Sequence, residues 1–275
     1  MPAGKYFVIK SQLSGLVLDV SGEHCHPGVD VILYGEKADK NDNQLWWADR
    51  LTSTIRTKLD STMCLQASSG STLVLQKYDP SNNDQKWVIG KDRIHSQHDA
   101  NRVLDVSGKS TSQGAKVVAW EYHGDKNQLW TFHHKPATFF YIVSKLHGKT
   151  LDVKKANPDE GTKVILWEKK DAVEDNQLWY ENKDGLICSK LNDFALDNLG
   201  ELGKSVRLQV PHAGKRSQMW SVRGERIVHM EAEDEVMEVR GGEPRSGGKV
   251  SAAKWTGSDQ QRWEVKEAKV KGKAK

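Results

Sequence analysis

The sequence predicts an all-β chain of two tandem domains, each folded from a three-fold internal repeat. Three observations predict it. Six of the ten tryptophans sit in Gln-x-Trp triplets at regular spacing. The sequence restarts near its middle. The segments between triplets read as short strands, and none sustains a helical period.

The triplets are Gln44-Leu45-Trp46, Gln85-Lys86-Trp87, Gln128-Leu129-Trp130, Gln177-Leu178-Trp179, Gln218-Met219-Trp220 and Gln261-Arg262-Trp263. Their glutamines are 41, 43, 49, 41 and 43 residues apart. The pair 41, 43 occurs twice, separated by one longer step, as expected for two copies of a three-fold unit. The join lies near His133-His134-Lys135-Pro136-Ala137. After it, Phe139-Phe140-Tyr141-Ile142-Val143-Ser144-Lys145-Leu146 echoes Tyr6-Phe7-Val8-Ile9-Lys10-Ser11-Gln12-Leu13. The expected domains are therefore 1–134 and 135–268, with a lysine-rich tail at 269–275.

Within a repeat, Tyr6–Lys10, Val17–Val20, Val29–Tyr34 and Leu45–Ala48 are rich in β-branched and aromatic residues, with Gly, Asn, Asp and Ser between them. Four strands per repeat give twelve per domain. A three-fold unit of this kind has to close its sheet edges, and a six-stranded barrel capped by three hairpins does so. The triplet tryptophans then face the shared core, and each glutamine satisfies main-chain groups in the loop before it.

Charge and hydropathy narrow the function. The chain has 275 residues, with 41 basic and 37 acidic side chains and a net charge of +4. Four lysines and no acid fall in Lys269–Lys275, so the remainder is formally neutral and carries no basic field for nucleic acid. No apolar run is long enough to span a membrane. The start, MPAGKYFVIKSQLSG, lacks the apolar core of a signal peptide. The cysteines, Cys25, Cys64 and Cys188, are odd in number and scattered, and no Asn-x-Ser/Thr sequon occurs. These features point to a cytoplasmic protein, or to one secreted without a signal peptide.

The repeat pattern resembles the ricin-type (R-type) lectin domain, a β-trefoil whose signature is one Gln-x-Trp per third. The resemblance covers essentially the whole chain. Two such halves with no further domain look like the tandem-repeat galactose-binding lectins of invertebrates. It implies a multivalent lectin for terminal galactose or N-acetylgalactosamine that cross-links glycans of glycoproteins or glycolipids, or agglutinates cells. It implies no cofactor, no membrane insertion and no catalysis. The oligomeric state is open, and a monomer is compatible with the pattern.

A galactose-type sugar presents adjacent hydroxyls and one apolar ring face. A carboxylate accepts from the hydroxyls, an aromatic ring covers the apolar face, and an amide donates and accepts beside them. Three thirds hold this set in one register. The first has Asp19, Tyr34 and Asn43-Gln44; the third has Asp105, Trp120 and Asn127-Gln128; the fourth has Asp152, Trp167 and Asn176-Gln177. In each, the aromatic follows the Asp by fifteen residues and a glycine (Gly28, Gly114, Gly161) follows it by nine. In R-type lectins the matching residues contact sugar. Family members often carry a polar residue two before the aromatic, where Ile32, Val118 and Ile165 stand here.

The other thirds depart from the pattern. The second has Gln66 for Asp and Asp84 for Asn. The fifth keeps Asp197 but has Gln209 near the aromatic position and Ser217 for Asn. The sixth has Glu238 and Gln260, with Trp255 two residues out of register. A turn Asp capping its own backbone is the bland alternative for any one of these. Three recurrences with an aromatic and an Asn-Gln pair favour a site.

Three competing readings are weighed. His24-Cys25-His26 brings metal-ligating residue types together, but strand alternation splits them and no second ligand pair is near. A polyanion-binding protein would use the basic tail, and its binding would fall steeply with salt. A glycosidase needs paired carboxylates flanking a cleft, and no catalytic motif appears. Cys64 stands where family members often have half a disulfide. With no partner near Tyr78, it reads as a buried free thiol.

Overall fold

The structure is a computed structural model describing residues 2–50, 52–68, 70–242 and 245–269. It is all-β, with short 3-10 turns between strands, and consists of two tandem β-trefoils. The described residues divide into one compact unit at 5–135 and another at 136–269 together with 2–4. Residues 2–4, expected in the first domain, group with the second unit. Ala137 donates its N–H to the Pro2 carbonyl (3.0 Å) and Gly4 bridges Asn182. Apart from Lys269, the lysine tail lies outside the described residues.

In the first unit, Val17–Val20 pairs antiparallel with Val31–Tyr34, Met63–Ala67 with Leu73–Lys77, and Arg102–Val106 with Val117–Glu121. The first strand of each hairpin is buried along almost its whole length, with Leu18, Leu65 and Leu104 in the core and Asp19 and Asp105 buried beside them. The hairpins interlock through the glycines noted in the sequence. Gly28, at φ +86°, donates to the Leu75 carbonyl of the second third, and Gly114, at φ +81°, donates to Leu33 of the first. Glycine accepts this positive φ without steric cost, and the turn aims its N–H at the neighbouring repeat.

The core is the meeting point of the three triplet tryptophans. Trp46, Trp87 and Trp130 are buried among Ile9, Leu18, Leu33, Leu65, Leu75 and Leu104. Burying an indole stabilises the fold by about 4–6 kcal/mol of transfer free energy. Its N–H needs an acceptor there, and strand carbonyls supply it: Leu18 for Trp46, Leu65 for Trp87 and Leu104 for Trp130, at 3.0–3.2 Å. The second unit repeats the plan with Trp179, Trp220 and Trp263 among Leu151, Leu166, Leu196, Leu208 and Met237. Cys64 and Cys188 are free, buried thiols, and Cys25 is exposed. No helix among the described residues is long and apolar enough to cross a membrane.

Candidate functional site

Hairpin register explains the fifteen-residue spacing. Asp19 lies opposite Ile32, Asp105 opposite Val118 and Asp152 opposite Ile165. The aromatic follows two residues later on the same face of its strand, which sets carboxylate and ring diagonally across one hairpin. The rings stand in solvent: Tyr34 is 43 %, Trp120 58 % and Trp167 42 % exposed. The carboxylates are buried beneath them.

The Asn-Gln pair arrives on a one-turn 3-10 segment, Asp42–Gln44, Lys126–Gln128 or Asp175–Gln177. Both amides donate to one oxygen of the Asp. Asn43 Nδ2 and Gln44 Nε2 lie 2.9 and 2.8 Å from Asp19 Oδ2. Asn127 and Gln128 hold Asp105 Oδ2 at 2.9 and 2.8 Å, and Asn176 and Gln177 hold Asp152 Oδ2 at 3.0 and 2.9 Å. No described residue bonds the other oxygen, Oδ1, of these three aspartates. The scaffold therefore fixes one carboxylate oxygen and leaves its twin for an external donor.

The glutamines do not reach the surface. Gln44, Gln128 and Gln177 have no exposed area. Besides its bond to Asp19, Gln44 donates to the Gly35 carbonyl and accepts the Lys37 N–H, at 2.8 and 2.9 Å. Its donors are spent inside the protein, and Gln128 and Gln177 are saturated in the same way. The glutamines, expected beside the sugar, instead have their polar atoms engaged within the protein, where each ties the loop down and holds the Asp. Asn43 and Asn176 likewise use Nδ2 internally and offer only Oδ1.

A further residue, eighteen positions after the Asp, enters each site and was not singled out in the sequence. Lys37 Nζ donates to Asn43 Oδ1 (3.2 Å) and Glu23 (2.6 Å). Lys170 donates to Asn176 Oδ1 (3.1 Å) and also pairs with Glu174. In the third site His123 stands there, its Nε2 3.3 Å from Asp105 Oδ2 and its Nδ1 3.3 Å from Asp125. Without a lysine, Asn127 Oδ1 is left buried with no partner. A donor seated in the site would relieve that orphaned acceptor.

Burial raises the carboxyl pKa of Asp19 and Asp152 above the ordinary value. Hydrogen bonds from the glutamine and asparagine and the nearby lysine charge only partly offset it. Two sites form defined cavities. One of about 220 Å³ is bounded by Gly70, Ser71, Asp105, Trp120, His123 and Asn127. Another, of about 470 Å³, holds Asp152, Ile165, Trp167, Lys170, Asn176 and Gly247 among its walls. Val118 and Ile165, at the position often polar in the family, are wall residues.

The remaining thirds keep the scaffold but depart from this arrangement of side chains. In the second, Gln66 Oε1 accepts from Gln85 and from Asn82, at 2.9 and 3.1 Å, so an amide replaces the carboxylate. The amide partner is Asn82 rather than the residue at 84; Asp84 instead pairs with Arg102. In the fifth, both oxygens of Asp197 are occupied, by the Leu199 N–H (2.6 Å), Lys215 (2.8 Å) and Gln218 (3.1 Å). In the sixth, Glu238 still holds Gln261 (2.8 Å), but the guanidinium groups of Arg226 and Arg262 lie over the Trp255 ring, 5.0 and 5.7 Å from its centroid.

Among known protein families, the ricin-type beta-trefoil lectin domain matches this chain twice, over residues 5–130 and 138–263. Among solved structures, the earthworm R-type lectin C-half, solved in complex with GalNAc, is 34 % identical. That match covers 48 % of this chain and 99 % of that one, with a TM-score of 0.45. A non-toxic homologue of type II RIPs from bitter gourd (Momordica charantia), solved with α-methyl-D-galactoside, is 19 % identical over 96 % of this chain and 98 % of that one (TM-score 0.45). The agglutinin from Abrus precatorius is 21 % identical over 95 % and 96 % (TM-score 0.44). No curated protein matches the sequence.

Proposed function

This chain belongs to the ricin-type beta-trefoil lectin family, and from that premise we propose that it is a multivalent lectin for terminal galactose or N-acetylgalactosamine. The proposed sites are those of Asp19, Asp105 and Asp152. One observation carries the reading: in these three thirds a carboxylate with one oxygen fixed and one free lies beneath an exposed aromatic ring.

That geometry supports the proposed sugar class. The free oxygen has two lone pairs and accepts from vicinal hydroxyls. The ring of Tyr34, Trp120 or Trp167 covers the apolar face of the pyranose, which the axial hydroxyl of galactose leaves clear on one side. Lys37 and Lys170 border the first and fourth sites as donors. Asn127 Oδ1 waits as an acceptor in the third. Gln44, Gln128 and Gln177 position the carboxylates without touching sugar.

The family supports a reading of binding rather than cleavage. Among the described residues each of the two cavities has a single carboxylate in its wall, Asp105 or Asp152, whereas glycoside hydrolysis takes two, set about 5–10 Å apart. Shallow single sites bind sugar with dissociation constants on the order of 0.1–1 mM. Several sites on one chain raise avidity on a glycan-bearing surface and let it bridge two glycans.

The test is retention on immobilised galactose and elution with lactose. Tyr34→Ala, Trp120→Ala and Trp167→Ala combined should abolish retention while the thermal transition stays in place, because all three rings are exposed. Undiminished retention of that variant would refute the site assignment. Aspartate variants test it less cleanly, since each Asp also anchors a buried amide pair.

A further inference from the structure

The three sites share a plan but not a charge. Two residues after the LDV segment, the chain passes through the left-handed region in all three. Gly22 and Gly108 occupy that position, at φ +65° and +62°, and Gly241 does so in the sixth third at φ +74°. In the fourth third the residue is Lys155, at φ +60°. L side chains rarely adopt this region, so a lysine there is a local misfit that a glycine would remove. Lys155 is exposed, and with Lys154 and Lys170 it borders the cavity around Asp152 and Trp167.

Partners sharpen the difference. In the first site the neighbouring residue is Glu23, which pairs with Lys37. In the third it is Lys109, which pairs with Asp125 at 2.7 Å. In the fourth, Lys170 is engaged by Glu174 and Asn176, but Lys154 and Lys155 have no carboxylate partner among the described residues. The acids of the same loop do not supply one. Glu160 accepts the Val210 N–H at 3.4 Å, and neither it nor Asp159 borders the cavity. Among the described residues Asp152 is the one carboxylate lining the cavity, against three lysines. The space is also larger, about 470 Å³ against about 220 Å³ in the third site.

We propose that the fourth-third site reads an acidic group carried by its glycan, a sulfate or a sialic carboxylate on or next to the terminal galactose, through Lys154 and Lys155. This deepens the sugar-binding reading at Asp152 and rests on it. Asp152 and Trp167 take the galactose, and the two lysines above them take the anion. The first and third sites, whose rim charges are neutralised in pairs, accept the neutral sugar without this preference.

The experiment uses the full chain with Tyr34→Ala and Trp120→Ala, which leaves the Trp167 site to be measured by calorimetric titration. The probes are lactose, 6′-sulfated lactose, and 3′- and 6′-sialyllactose, at about 50 mM salt. A lysine at about 6 Å from an anion in water contributes roughly three-fold in affinity, so two predict an acidic probe binding roughly three- to ten-fold tighter than lactose. Adding Lys154→Ala and Lys155→Gly should bring the acidic probes to parity with lactose, keep lactose binding within two-fold, and hold or raise the melting temperature. Raising salt to about 0.5 M should erode the preference in the unsubstituted loop. Whether the sulfated or a sialylated probe gains identifies the source of the acid. Lactose binding with no gain for any acidic probe overturns the proposal, as does a gain that survives the lysine substitutions. Loss of lactose binding itself in the starting background overturns instead the reading of Asp152 and Trp167 as a sugar site, and this inference with it.

Discussion

Replacing Gln177 with leucine, which is close to glutamine in volume, asks whether the triplet glutamine is the clamp of the site. The leucine fills the space and removes three hydrogen bonds: to Asp152 Oδ2 (2.9 Å), to the Glu168 carbonyl (2.9 Å) and from the Lys170 N–H (3.1 Å). The two main-chain groups are part-buried and cost about 1 kcal/mol each when left unmet, and the bond to the carboxylate about 1.5–3 kcal/mol. The sum is about 4 kcal/mol, a large share of the roughly 5–15 kcal/mol that stabilises a typical domain. For a unit of this size it corresponds to a fall of roughly 10–20 °C in the midpoint of the transition. Differential scanning calorimetry of the full chain measures it. Lactose titration of the same substitution with Tyr34→Ala and Trp120→Ala should show affinity falling roughly ten-fold, or about 1.4 kcal/mol, because Asp152 keeps only Asn176 as anchor. A midpoint shift under about 3 °C with unaltered lactose affinity would show that the buried amide neither holds the loop nor positions the carboxylate.

Other expectations follow from the same geometry. Trp120→Ala should change stability by no more than about 0.5 kcal/mol, as for an exposed side chain, while weakening the third site roughly ten-fold; calorimetry and titration of that site read the two effects separately. Burial holds the carboxyls of Asp19 and Asp152 above the ordinary 3.8. The ionised form accepts charge-assisted hydrogen bonds from hydroxyls, and protonation weakens that acceptor, so binding is full at neutral pH and falls as pH drops through the raised value, beginning above 3.8. Over that fall the folded state binds these two protons more tightly than the unfolded chain does, so these groups add stability while binding is lost. Lactose-elutable retention followed from pH 7 to 3.8, beside tryptophan fluorescence, tests this, and retention unchanged over that range counts against it. Burial pushes the thiols of Cys64 and Cys188 up to about 11 and about 12, so a thiol reagent at pH 8 should titrate one fast cysteine per chain, Cys25, and three after unfolding.

The architecture was legible because its determinants recur. One buried indole per repeat sets the period, and a glycine nine residues after each site aspartate marks a turn that other residues adopt only under strain. The Asp–aromatic spacing was legible because hairpin register converts a fixed sequence offset into a fixed diagonal. The role of the glutamines was not, because an amide that clamps a loop and an amide that binds a hydroxyl use the same donors and acceptor. Only burial separates them. Lys37, His123 and Lys170 share an offset of eighteen from their aspartates, but a lysine in a polar loop is ordinary, and its contact with an asparagine oxygen depends on loop geometry that no period encodes. The same applies to Asn82, which takes the amide role from a position two residues earlier than the alignment of repeats suggests.

The fifth third shows why an aspartate in register is not by itself a sugar site. Asp197 is as buried as Asp19 and Asp152 and is likewise held by its triplet glutamine. Two partners make the difference, the lysine eighteen residues on and the Leu199 N–H. Lys37 and Lys170 reach past the carboxylate to the asparagine oxygen, whereas position 217 holds a serine and Lys215 closes directly onto Asp197 Oδ2 at 2.8 Å. The Leu199 N–H takes the other oxygen at 2.6 Å. Burial alone would raise the pKa of Asp197, but the lysine and that N–H outweigh it and hold the carboxyl below its ordinary value, the reverse of Asp19 and Asp152. An internally satisfied carboxylate has nothing left to offer a sugar. The asparagine before the triplet glutamine thus does two jobs: it anchors the aspartate, and it takes the lysine that otherwise closes onto Oδ2, while in the fifth third the Leu199 N–H takes the oxygen a ligand would need.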